Sequence, residues 1–458
     1  MSKRDLETTI EGLEKRIAEL EAELAKALKN PRTSSKPPSS DIVKPPKSPK
    51  AKGKKRNKGA QPGHPRHERP LFSPEEIDDT HDYTLDACPD CSGSLELADK
   101  APRVIQQVEF VEKPVRVDEH RGLAYWCERC QKIHYASFPP AIKRAGLVGV
   151  ELSVHIAYLK GVCHASFSTI RKYVRDVLGM NISRGQLTKV IQKAGDALEG
   201  SYNELLDFLH AEACLNIDET GHKENGERFY TWCFRAPRYT VFKISDSRSS
   251  QILFDLLGEE FAGVIGCDYF SAYRKYMKDC DVLVQFCLAH LIRDLKYLTT
   301  LPDEATKTYG KKLLEHMRRL FRTIHQREEM QGEAFTLALE RTRRAIIRYA
   351  TTNTPETREA QNLAKRFAQH GDAYFQFITT PGMEPTNNLA EQAIRFVVLD
   401  RHVTQGTRSE KGRQWSERIW TTMATCATQG RSVYDFLLET LEAHFNNQAT
   451  PSLLFDSS

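Results

Sequence analysis

The chain has 458 residues, a formal net charge of +5 and 40% hydrophobic residues, too long for one ordinary domain and apolar enough to bury a sizeable core. No apolar run approaches the roughly 20 residues that a membrane span needs, and the charged N-terminus is unlike a signal peptide, so a cytoplasmic protein with no membrane partner is expected. Eleven cysteines, an odd number without the spacing of a disulfide scaffold, point to a reducing compartment in which thiols serve zinc or packing.

From the N-terminus, Leu6, Ile10, Leu13, Ile17, Leu20, Leu24 and Ala27 alternate steps of four and three. That heptad seam defines a leucine-zipper-like helix over residues 1–30. Ile10, Ile17 and Leu24 fall at one core position and Leu6, Leu13 and Leu20 at the other, which favours a parallel two-stranded coil and hence a homodimer or higher assembly. A single amphipathic helix packed on its own protein would give the same pattern. Residues 31–70 hold nine prolines and twelve Lys or Arg against two acids, so the rest of the chain is net acidic. A basic disordered linker is expected here, with Lys52, Lys54, Lys55, Arg56 and Lys58 as a phosphate-seeking arm, although a merely solubilising linker reads alike.

Cys88-Pro-Asp-Cys91 and Cys127-Glu-Arg-Cys130 are two Cys-x-x-Cys knuckles. Four thiolates close one tetrahedral structural Zn²⁺ site, and a strand pair, Arg103 to Val111 and Arg116 to Trp126, is expected between them, making residues 71–145 a zinc-binding β module. Residues 146–210 turn helical. Phe167 to Leu178 is one amphipathic helix stopped by Gly179; Ser183 is a plausible N-cap for the next, Arg184 to Lys193. The pair resembles a helix-turn-helix offering Arg184, Gln186 and Lys189 to a DNA groove. An ordinary helical pair with solvated polar faces fits equally.

From Cys214 an apolar run ends in Asp218 and Glu219, and Phe261 to Cys267 is a second that ends in Asp268. Both read as core strands delivering acid at their carboxyl ends. Phe229 to Arg235, Tyr239 to Ile244 and Asp281 to Phe286 supply further strands, with helices from Ser249 and Ser271. Three strands, a helix, a strand, a helix and a strand is the order of a ribonuclease H-like core, expected over residues 211–400. A helical insertion at about 291–380 interrupts it. The insertion ends at Thr386-Asn-Asn388, cap residues for a helix whose first turns carry Glu391, and residues 401–458 form a helical tail. Three carboxylates gathered at one sheet edge favour a cation, and hard oxygen ligands select two Mg²⁺ or Mn²⁺ ions that could activate an attacking oxygen and stabilise a leaving one on a phosphodiester. Helix-cap or surface acids would give the same residues without a site. Glu219 competes with Asp218 as ligand. Cys287 and His290, three apart, read as positioning groups or as packed core; Asn388 is a further positioning candidate, and Arg395 could orient Glu391 or meet a phosphate.

The heptad helix, the Gly59-Ala-Gln-Pro-Gly-His64 phrase, the paired knuckles, Ile217-Asp-Glu-Thr220, Gly266-Cys-Asp-Tyr269, Cys287-Leu-Ala-His290 and Pro385 to Glu391 with Arg395, in this order, resemble the DDE transposases of bacterial insertion sequences, of the IS66 type. The resemblance implies a catalytic triad of Asp218, Asp268 and Glu391, nicking at element ends by activated water, and attack of the freed 3′-hydroxyl on target DNA. It also implies that the zinc module and helix-turn-helix bind the terminal repeats, that the zipper pairs two subunits, and that companion proteins of the same element take part. The glycine phrase departs from the family's double glycine. A nuclease that cuts without joining, or a DNA-binding regulator that has lost catalysis, would carry many of the same features. The fold class expected is multidomain α+β: coiled-coil helix, zinc-binding β module, helix-turn-helix and ribonuclease H-like core with an all-helical insertion.

Overall fold

The computed structural model describes residues 71–81, 114–127, 131–330 and 332–454, with five isolated positions between 90 and 129. The heptad helix, the basic linker with its lysines and Arg56, and Cys88, Cys91 and Cys130 lie outside the described residues. The described residues divide into two units, one within 47–119 and one from 120 onward. In the smaller, Ser73 starts a single helical turn, Pro74–Glu76, and its backbone N–H donates to the Glu76 carboxylate at 2.9 Å.

The larger unit opens on a hairpin of β1 (Ala124–Cys127) and β2 (Lys132–Tyr135), antiparallel across the second knuckle. The expected strand from Arg116 to Trp126 is confined to its last three residues and Cys127. Its first half carries Arg116, Asp118, Glu119, His120 and Arg121, too little apolar surface to hold one face against a core. Five helices follow: α1 (Pro140–Ala145), α2 (Val150–Gly161), α3 (Phe167–Asp176), α4 (Arg184–Ala197) and α5 (Glu199–Phe208). Gly179, at φ +67°, turns the chain after α3. Ser183 caps α4 by accepting the Gln186 N–H at 3.1 Å. Leu187, Val190, Ile191 and Ala194 bury one face of α4, while Arg184 and Lys189 stay exposed and Gln186 is half-buried.

The core is a five-stranded mixed sheet in the order β5-β4-β3-β6-β7. β3 (Cys214–Glu224), β4 (Glu227–Arg235) and β5 (Thr240–Ser245) form an antiparallel meander; β6 (Val264–Cys267) and β7 (Leu283–Phe286) add parallel to β3 after the crossover helices α6 (Gln251–Leu257) and α7 (Ser271–Cys280). β3 does not stop at Asp218 as its apolar run suggested. It continues six residues because Asn225 and Gly226, at φ +49° and +91°, make the tight turn that matches hairpin twist, and Glu224 pairs with Glu227 across it.

Four helices, α8 (Leu288–Leu298), α9 (Glu304–His325), α10 (Gly332–Thr352) and α11 (Arg358–His370), and two single turns at Asp372–Tyr374 and Gln376–Ile378 precede α12 (Asn388–Thr404). Among the described residues, no helix is long and apolar enough to cross a membrane.

The segment expected as a tail forms α13 (Glu410–Gln429) and α14 (Val433–Asn446), and α13 seals the sheet. β5 is an edge strand whose outward N–H groups have no strand partner, a costly state when buried. The N–H groups of Thr240, Phe242 and Ile244 donate instead to Thr425 Oγ1 (3.2 Å), Thr421 Oγ1 (3.0 Å) and Glu417 Oε1 (2.7 Å). Two strand residues advance ~6.6 Å and four helical residues ~6 Å, so a helix lying along the edge matches every second N–H with every fourth side chain. Thr421→Val/Thr425→Val keeps the side-chain volume and removes two acceptors. We expect the double variant to lose about 2–4 kcal/mol in denaturant unfolding; wild-type stability would show that the helix covers the edge without bonding it.

Candidate functional site

The parallel partner of β3 runs out early. The β3–β6 register ends at Asn216 opposite Gly266, while the antiparallel register with β4 continues through Asp218 opposite Cys233. Asp218 therefore stands just past the end of β6, beside Asp268, which follows that strand directly. Asp268 is held by its own turn: its carboxylate accepts the Phe270 N–H at 2.9 Å. Glu391 arrives from α12, one turn inside the helix. Each of the three is partly accessible.

Asn387 joins these parts. Its Nδ2 donates to the Ile217 carbonyl at 2.7 Å, its Oδ1 accepts from Asn216 Nδ2 at 2.9 Å, and its backbone N–H donates to Cys287 Sγ at 3.1 Å. Its carbonyl then accepts the Glu391 N–H at 3.2 Å. Two backbone bonds complete the frame: Cys287 N–H to the Cys267 carbonyl (2.7 Å) and Leu288 N–H to the Pro385 carbonyl (3.0 Å). Gly266 makes room for it, since a Cβ there would lie 2.5 Å from Asn216 Nδ2. Sequence reasoning singled out Asn388. That residue opens α12 half-buried, and the bonds to β3 belong to its neighbour.

Asp218 and Glu219 are separated by the pleat, because successive side chains of a strand point to opposite faces. Glu219 is buried with its carboxylate consumed: Arg248 donates from Nε (3.0 Å) and Nη2 (2.6 Å), and the Tyr273 hydroxyl also donates to it. Arg248 and Tyr273 were not anticipated; only an arginine and a tyrosine within reach of a buried acid would have suggested them. Among the described residues, Asp218 has no cation partner of this kind. Burial first, then the charges of Glu219, Glu391 and Asp268, hold its carboxyl well above the usual range.

Cys287 caps α8 and His290 lies three residues on. His290 Nδ1 is 3.5 Å from Glu391 Oε1, yet the two are not aligned as a hydrogen bond and both atoms are buried without one. Cys287, His290 and Glu391 each offer a donor atom within 4.8 Å of the others. Burial lowers the His290 basicity, with Glu391 opposing it. Arg395 is exposed one turn beyond Glu391. Along the extension of β3, a cleft of about 650 Å³ is lined by Lys223, Arg228, Tyr230, Arg401 and His402, and Arg401 Nη1 donates to Thr220 Oγ1 at 3.3 Å. Chemically, the arrangement joins a crowded group of carboxylates, suited to hard divalent cations, with a cationic cleft suited to a polyanion.

Two outcomes follow from this geometry. The folded state holds the Asp218 proton more tightly than the unfolded chain, whose carboxyl titrates near 3.8, so this residue's contribution to stability falls as pH rises above that value. Asp218→Asn should raise the metal-free melting temperature at pH 7 by a few degrees, with the gain vanishing near pH 4; an unchanged or lower value at pH 7 would mean the crowding is relieved elsewhere. Asn387→Ala strands the Ile217 carbonyl and the Asn216 amide in the interior and should cost about 2–4 kcal/mol in denaturant unfolding, whereas a loss under 1 kcal/mol would mean that the amide is not the joint.

No curated protein matches the chain. A family of unknown function (DUF6444) matches residues 3–70. The model of the family described as Transposase IS66 family matches residues 145–415, more than half of the sequence, a span that holds the mixed sheet, the helical block and all three partly accessible acids. The chain belongs to the IS66 family of transposases.

Proposed function

We propose that the protein is a DNA transposase that binds the terminal repeats of its insertion element, hydrolyses the phosphodiester at each end and transfers the freed 3′-hydroxyl to target DNA. The observation that carries this reading is the meeting of Asp218, Asp268 and Glu391 from three separate segments at the end of β6. The strand order β5-β4-β3-β6-β7 supports a ribonuclease H-like core, with the α8–α11 block as its insertion.

The donor set fits hard divalent cations. Three carboxylates share the site, burial and the neighbouring acids raise the Asp218 carboxyl above its usual range, and Glu391 Oε1 is buried without a hydrogen-bond partner. Two Mg²⁺ or Mn²⁺ ions held by Asp218, Asp268 and Glu391 would supply activation of the attacking oxygen and stabilisation of the leaving oxygen. The protein's own part is positioning. Asn387 fixes Glu391 against β3, Arg248 and Tyr273 keep Glu219 out of the ligand set, and the cationic cleft beside Thr220 receives the strand leaving the acids. His290 and Cys287 steady Glu391, and Arg395, exposed one turn further along α12, meets DNA beyond it.

DNA recognition falls to α4, whose exposed Arg184 and Lys189 and half-buried Gln186 lie at its N-terminal end, as a recognition helix after the α3 turn would place them. The basic segment with Lys52, Lys54, Lys55, Arg56 and Lys58 adds sequence-independent phosphate contacts. Cys88, Cys91, Cys127 and Cys130 hold one structural Zn²⁺, and the heptad helix pairs two subunits across the two element ends; companion proteins of the element complete the assembly.

The test uses 3′-hydroxyl element ends, supercoiled target, the full chain and Mg²⁺. Wild type should give joined products, and Asp218→Asn, Asp268→Asn or Glu391→Gln should each lower the joining rate at least about 10³-fold while leaving end binding intact. Hydrolysis without joining would establish a nuclease instead. Biological activity surviving in Asp268→Ala would establish a DNA-binding regulator.

A further inference from the structure

We propose that Cys287, His290 and Glu391 form a separate, sulfur-containing metal site that takes a borderline-soft divalent ion, Zn²⁺ foremost, and that occupancy withdraws Glu391 from the three acids. The binding claim stands without the transposase reading, and only the consequence for catalysis rests on it.

The donors are one sulfur, one imidazole nitrogen and one carboxylate oxygen, all within 4.8 Å of one another. Tetrahedral Zn²⁺ with bonds of ~2.3 Å to sulfur and ~2.0–2.2 Å to nitrogen and oxygen sets neighbouring donors ~3.4–3.6 Å apart. His290 Nδ1 and Glu391 Oε1 already stand at 3.5 Å. Both are buried without a hydrogen bond, although buried polar atoms are nearly always satisfied. An ion between them satisfies both.

Burial makes the Cys287 thiol hold its proton more tightly than usual, and the helix start opposes this only in part. Its sulfur sits at the N-terminus of the 11-residue α8 and accepts the Asn387 N–H at 3.1 Å; the N–H groups of His290 and Ala289 also favour the thiolate, against burial that pushes the thiol up to about 11. Binding replaces the Sγ–H bond by a sulfur–metal bond and releases one proton to solvent. The His290 and Glu391 side chains are 26% and 20% exposed, although the two donor atoms that face each other are buried. Mg²⁺ does not select sulfur, whereas Zn²⁺ accepts all three donor types. The two sites therefore differ in preference and compete only through Glu391.

The full chain, dialysed to equilibrium against buffered Zn²⁺ and analysed for bound metal, tests this directly. Wild type and Asp218→Asn should carry one more ion per chain than Cys287→Ser and His290→Ala, and Co²⁺ substitution should show a thiolate-to-cobalt absorption that weakens in Cys287→Ser. Because Cys287 is fully buried, melting curves accompany each variant, and the more accessible His290→Ala decides if Cys287→Ser fails to fold. Equal metal content in wild type and His290→Ala overturns the proposal. In Mg²⁺-supported joining, with each protein normalised to its own zinc-free rate, the zinc concentration for half inhibition should rise at least about tenfold in His290→Ala. A site that binds zinc without this shift would refute the withdrawal of Glu391, and the absence of joining in wild type alone would count against the transposase reading while leaving the metal count to stand.

Discussion

The buried amide of Asn387 spends all of its hydrogen-bonding groups on joining two parts of the chain that are far apart in sequence. Its side chain bonds Ile217 and Asn216 on β3, its backbone N–H reaches Cys287, and its carbonyl starts α12 by accepting the Glu391 N–H. Carboxylates that repel one another cannot hold themselves together. A neutral amide can, because its bonds in a low-dielectric interior are directional. The position of Glu391 relative to Asp218 thus depends on one side chain and on the missing Cβ of Gly266 that lets Asn216 lie across β6.

Among the described residues, the edge strands of the sheet that carries this joint are met by side-chain hydrogen bonds rather than by further strands. On the β5 side, Glu417, Thr421 and Thr425 of α13 take the outward N–H groups. On the β7 side, Gln285 Nε2 donates to the carbonyls of Phe286 and Tyr374 and its Oε1 accepts the Phe377 N–H. One cap comes from the C-terminal helices and the other from the turns that end the insertion. Both are part of the core's hydrogen bonding.

Much of the order of elements was legible because the strands are short, apolar and β-branched and the helices strongly amphipathic: the strands bearing Asp218 and Asp268, the α4 cap at Ser183 and the long helices after Cys287 all announce themselves locally. Three things did not. The continuation of β3 past Asp218 lies in Gly221-His-Lys-Glu224, a polar stretch made a strand by pairing with β4 and by the Asn225-Gly226 turn, which was there to be read. The bonding of Asn387 rather than Asn388 depends on helix phase, which two adjacent asparagines cannot reveal. The occupation of Glu219 by Arg248 and Tyr273 depends on long-range packing, and no spacing in the chain encodes it. The pleat and the bonds from Arg248 and Tyr273 set Glu219 apart from Asp218, a separation that periodicity could not reveal.

The helical block between Asp268 and Glu391 is more than a length of chain to be accommodated. Arg366 of α11 lies 4.0 Å from the ring centroid of Tyr269, the residue after Asp268, and Arg274 lies 4.6 Å from the same ring. Arg366 also pairs with Asp294 on α8 at 2.9 Å and donates to the Tyr374 hydroxyl. The guanidinium is largely buried, so the ion pair and the ring contacts must offset its lost hydration, and loosening α11 would leave that charge without partners. The insertion's packing is therefore tied to the turn that holds Asp268 on one side, and through α8 and Cys287 to the loop that holds Asn387 on the other. An element that looks like an interruption of the sheet grips both ends of the acid cluster, which is how a site assembled from residues 173 positions apart in the chain keeps one geometry.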